Sequence, residues 1–146
     1  MAYDLYAVIG PAVTLGRVDH PQLGPSVELA DGFALRALDE RWLVEETGVD
    51  PSNIDAMTDF LGPAVAGESH DCPLAYVAIE TFAGPVHNGA IVWSEGDVVY
   101  RELIEEEDAE APANVAMRMI GVTAAVGMDE FDTLGLGRHR SSESWI

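Results

Sequence analysis

Apolar and polar positions change period several times along the chain. Residues 3–9, YDLYAVI, are rich in β-branched and aromatic types and predict a strand that Gly10-Pro11 breaks. Residues 12–18, AVTLGRV, predict a second, bent strand, and 19–26, DHPQLGPS, a loop. Between 27 and 38, two alternating apolar runs flank Asp31-Gly32. This is the pattern of a tight hairpin, with Glu28 and Arg36 expected to face each other across it. Residues 40–48 predict a short helix with Trp42 and Leu43 on its apolar side and Gly48 as its cap. A second helix is predicted over 50–65, capped by Asp50 or Ser52 and ended by Gly62-Pro63. Ile54, Met57, Phe60 and Leu61 recur in it at helical spacing.

The second half opens with LAYVAIETF, residues 74–82, apolar nearly throughout. Such a run predicts a central strand buried on both faces. Asn88-Gly89 reads as a turn. AIVW (90–93) and DVVYREL (97–103) predict a second hairpin around Ser94-Glu95-Gly96. Residues 105–110, EEEDAE, predict a solvated segment. Pro112 suits the first turn of a helix whose apolar stripe is Val115, Met119 and Ile120 and whose end is Gly121. A last short helix is capped by Asp129, turns Phe131 and Leu134 inward and stops at Gly135. The following SSES can cap one more turn, with Trp145 packing down as an anchor. Together these elements predict an α+β fold in a single domain, residues 1–146. A mostly antiparallel sheet of five or six strands would carry three or four short helices on one face.

Charge then narrows the function. The chain has 26 acidic and 7 basic residues, a formal net charge of -19, and every basic residue is an arginine. Such a field repels nucleic-acid phosphates and anionic membrane surfaces and attracts a basic protein. Cys72 is the single cysteine, so no intramolecular disulfide forms, which fits a cytoplasmic location. The segment MAYDLYAVIG has no basic stretch ahead of its apolar run, and no run approaches the roughly 20 apolar residues of a membrane span.

Candidate chemistry is sparse. His70 lies two residues from Cys72 in SHDCP, but no ligand spacing surrounds the pair, so neither metal nor cofactor is predicted. Glu80 sits late in the central strand, where a bare carboxylate is costly, and an arginine partner is expected. The segment GLGRHR follows no strand and is not a dinucleotide fingerprint. Its two glycines are expected to turn the chain. Arg138 and Arg140 are expected to hold Asp129, Asp132 or Glu80. If these groups instead line a pocket, its members are Glu80, His87, Arg138, His139 and Arg140.

The C-terminal half resembles a family of small, acidic, uncharacterised proteins of actinobacteria and related bacteria. The resemblance rests on AYVAIETFAGPVHNGAIVW, ANVAMRMIGV and DEFDTLGLGRHRSSESW, with Trp93, Asn114, Arg118, Gly121, Asp129, Phe131, Gly135, Gly137, Arg138, His139, Arg140 and Trp145 among the matching positions. The chain departs at Ala83-Gly84-Pro85, where that family has an FGG-like loop. In character the family is similar to immunity proteins, which neutralise secreted toxins. The resemblance thus implies a protein partner and no catalytic residues.

The expected function is therefore a protein-binding module, an immunity-type inhibitor that occludes a basic toxin domain. Its expected contacts are Tyr100, Glu102, Glu105, Glu106, Glu107, Asp108 and Glu110, with Tyr100, Trp93 or Trp145 as anchors. A small-ligand protein or enzyme built on the pocket residues and a nucleic-acid mimic are the alternatives.

Overall fold

The computed structural model describes residues 3–81, 86–104, 110–139 and 141–146. The chain runs β1 (Tyr3–Pro11), α1 (Ala12–Gly16), β2 (Val27–Glu28), β3 (Phe33–Ala37), α2 (Glu40–Thr47), α3 (Ile54–Glu68), β4 (Leu74–Thr81), β5 (Val86–Ser94), β6 (Asp97–Ile104), α4 (Pro112–Met119) and α5 (Glu130–Leu134). Short 3₁₀ turns occupy 30–32, 136–138 and 142–145. The six strands form one antiparallel sheet in the order β2-β3-β1-β4-β5-β6. The fold is α+β, as predicted, and strands from both halves of the chain pair at its centre.

The helices lie on both faces of this sheet, not on one. Side chains of Leu5, Ala7, Ile9, Ala75, Val77 and Ile79 face a layer made by α4, α5 and the C-terminal turns. Their alternates Tyr6, Val8, Leu74, Tyr76 and Ala78 face Leu15, Leu43, Ile54, Met57, Leu61 and Val65 of α1, α2 and α3. The cause is the sequence of the central strands. Apolar in both registers, β1 and β4 need cover on both sides.

Several local expectations hold. Gly48 and Gly135 end α2 and α5 at φ 71° and 74°, where a side chain would be strained. Asp129 caps α5 by accepting from Asp132 N at 2.8 Å. Glu95 and Gly96 both have positive φ, the turn that matches the twist of a two-residue hairpin.

Others need correction. Residues 12–16 form a helical turn instead of a bent strand. Glu28 opposes Ala34, while Arg36 points toward the loop before β2 and donates to the carbonyls of Gly24 and Val18. α3 is capped by Asn53, whose Oδ1 accepts from Ala56 N at 3.0 Å, and it continues through Gly62-Pro63 to Glu68. Pro63 is on the exposed side of that helix, where water can replace the donor it lacks. The buried stripe of α4 is Ala113, Ala116, Met117 and Ile120, whereas Met119 is exposed.

Asn88-Gly89 is no turn. Both residues lie within β5, opposite Ile79 and Ala78. Gly89 sits beneath α3, and a Cβ there would come within 2.6 Å of Ile54 Cδ1. Asn88 is buried, and its Oδ1 accepts from Ala113 N at 2.9 Å, so a strand residue satisfies the first turn of α4.

Candidate functional site

The C-terminal arginine segment is built around an indole. Trp145 is 3% exposed within the α4–α5 layer. The His139 ring meets it edge-on, 4.8 Å between centroids, and the Arg138 guanidinium lies 5.5 Å from its centre. Arg138 thus makes a cation–π contact, not the expected ion pair with Asp129, Asp132 or Glu80. Asp129 instead caps α5 and accepts from Asn114 Nδ2, and Glu80 accepts from the Tyr6 hydroxyl. Arg140 lies outside the described residues.

The residues after it close the sheet. Beyond the end of β3, the Tyr6 amide has no strand partner. It donates to Ser142 Oγ at 2.8 Å, and the Ser142 amide donates to the Asp4 carboxylate at 3.3 Å. The Tyr3 hydroxyl donates to the Leu136 carbonyl at 2.8 Å. The C-terminal segment is therefore a clasp across the exposed part of β1.

The four described residues of the expected pocket fall into two separate pairs. Glu80 and His87 are direct cross-strand neighbours, with Asp4 beside Glu80 on β1. Glu80 reaches Tyr6 in the α1–α3 layer, and His87 Nε2 lies 3.4 Å from the Ser52 carbonyl at the entry to α3. Arg138 and His139 pack on Trp145, which belongs to the opposite layer.

The expected anchors also change. Trp93 and Trp145 are buried, and Tyr100 is half-buried against the α4–α5 layer. Trp42 is instead the tryptophan that stays exposed, at 43%. Of the expected acidic rim, Glu102 and Glu110 are exposed, and Glu110 pairs with Arg118. Glu105, Glu106, Glu107 and Asp108 lie outside the described residues.

Two cavities escape sequence reasoning. One, of about 480 Å³, is walled by Asp4, Glu40, Arg41, Val44, Glu45 and the clasp residues Ser141 to Glu143. Within it the Glu40 carboxyl is held above its ordinary value of 4.5. Partial desolvation is the main cause, followed by the negative charges of Asp4, Asp50, Asp39 and Glu143. A raised carboxyl pKa penalises the folded state when the group ionises. Stability should therefore rise as pH falls from neutral through the raised value, levelling off below 4.5. Glu40→Gln should raise the urea midpoint at neutral pH and flatten that acid-side rise. An unchanged pH profile would refute the assignment.

The second cavity, about 330 Å³, lies where α3 begins beside β6. Asn53, Ile54, Asp55, Arg101, Glu102 and Leu103 line it.

The described arginines are already engaged. Arg17 pairs with Glu68 and Asp71, Arg41 with Glu45, Arg101 with Asp55, and Arg118 with Glu110 and Glu130. Arg36 serves backbone carbonyls, and Arg138 stacks on Trp145. Most of these ion pairs are solvent-exposed and add little stability. They do remove the described arginines from competition for an incoming acidic surface.

His70 packs beside Gly96 at the β5–β6 turn, and Cys72 is half-buried. Among the described residues no group of three His, Cys, Asp or Glu side chains is placed to hold a metal ion. No described helix is long and apolar enough to cross a membrane. No family model, curated protein or solved structure matches the chain.

Proposed function

We propose that this chain is an acidic, cytoplasmic protein-binding module that captures a basic protein domain. The observation that supports it is the charge of -19 in a fold whose described arginines are tied to structural contacts. The surface therefore keeps a negative potential that steers a basic partner inward and raises its association rate. In its narrower form the partner is a toxin domain, such as a nuclease, whose active cleft the module covers. An inhibitor of this kind works by occlusion and needs no reacting group of its own.

The test is a titration against the basic C-terminal domain of a secreted protein encoded next to this chain. The association rate should fall by about a hundredfold between low and high salt. The toxin's activity should be lost at one equivalent. Binding indifferent to salt removes the electrostatic mechanism, and binding without inhibition removes the immunity role.

A further inference from the structure

We propose that β6 is the docking edge, where an extended basic segment of the partner adds to the sheet as a seventh strand. One cationic side chain of that segment would sit in the cavity beside Asp55. This rests on the basic-partner reading above and gives it a place and a geometry.

The two edges of the sheet differ. β2 is two residues long and offers little backbone. β6 spans eight residues and, among the described strands, bonds only to β5. A register shift opposite Val92 and Trp93 interrupts its first part, while Tyr100 to Ile104 pair regularly with Val92 to Asn88. Among the described residues, that stretch leaves its outward N–H and C=O groups without a strand partner, a ready template for strand addition. Natural edges are commonly blunted by proline or lysine, and β6 contains neither. Val99 and Leu103 are 50% and 38% exposed along it.

Charge selects the occupant. Asp97 and Glu102 are exposed on the strand, and its arginine, Arg101, is shared with Asp55 at 3.5 Å. The Asp55 side chain is 85% exposed beside the 330 Å³ cavity, and Glu102, opposite Ala90, projects to the other face of the sheet. A second copy of the chain would bring another charge of -19 to this edge. A basic strand brings the opposite sign, and its alternating side chains can meet Asp55 on the α3 face and Glu102 on the α4 face.

The probe is a synthetic heptapeptide alternating arginine with valine and threonine, added to the intact protein. Amide hydrogen exchange from Tyr100 to Ile104 should slow by at least about tenfold, and high salt should abolish the effect. The double variant Asp55→Asn, Glu102→Gln removes two exposed charges without changing size and should keep the urea midpoint close to wild type while losing the slowing.

Peptide-induced slowing elsewhere, with β6 unchanged, overturns strand addition but leaves the basic-partner reading intact. Absence of salt-sensitive peptide binding also overturns it, and the titration with the co-encoded domain then judges the wider reading separately. Protection of β6 that grows with the protein's own concentration, without peptide, assigns the edge to a second copy instead.

Discussion

Trp145→Ala should lower the unfolding free energy by about 3–5 kcal/mol. The ring is almost wholly buried in the core on the α4–α5 face of the sheet, so its removal combines lost apolar burial with a cavity. It also frees the two groups that rest on it, Arg138 and His139. The clasp at Ser142 is three residues away and should loosen with it. Trp145→Phe is the informative control. The indole Nε1–H has no acceptor among the described residues, so phenylalanine gives up ring area but no hydrogen bond. Its cost should be about 1 kcal/mol. Urea unfolding measures both. A loss under 1 kcal/mol for the alanine variant would mean that Trp145 does not anchor the C-terminus.

Asn88→Ala should cost about 2 kcal/mol, because it leaves the Ala113 amide buried without its acceptor. The amide lies in the first turn of α4, whose exposed N–H groups carry a partial positive charge. Asn88→Asp keeps the acceptor and places negative charge there, so most of the stability should return. Equal losses for alanine and aspartate would show that restoring the acceptor does not restore stability, and would overturn the role given to this hydrogen bond. Amide exchange at Ala113 gives a local check, rising in the alanine variant before the protein unfolds.

Asn88 also illustrates where sequence reading succeeds and fails. The central strand was legible because LAYVAIETF is apolar in both registers, a property no surface element shares. The hairpin at Glu95-Gly96 and the glycine caps were legible because their conformations are local. Asn-Gly inside β5 was misread because the same two residues serve opposite purposes. In a turn they tolerate positive φ. Here the asparagine caps a helix 25 positions away and the glycine makes room for Ile54. The two-sided helix cover was implied by the strands themselves, yet which helix goes to which face depends on crossovers that periodicity does not encode.

The site was less legible still. The 480 Å³ cavity draws its walls from the start of β1, from α2 and from the clasp, three segments with no common motif. Trp42 and Leu43 are adjacent in sequence, but α2 turns Leu43 inward and leaves Trp42 in solvent. Of the arginine segment, the glycine geometry could be read, whereas the choice of Trp145 over a carboxylate could not. That choice is made by burial of the ring, which brings aromatic surface to Arg138.

The clasp has a consequence for how the chain is made. The bond between the Tyr6 amide and Ser142 joins residues 136 positions apart. During synthesis the first strand emerges early, yet the group that completes its edge is translated 136 residues later. Through that interval β1 displays an unfinished backbone, and β4, its other neighbour, also arrives late. A protein with so many non-local contacts should complete this sheet only after Ser142 has emerged, on the slower timescale of sheet proteins. Its strong negative charge then gives nascent copies a reason to stay apart while the edge is still open.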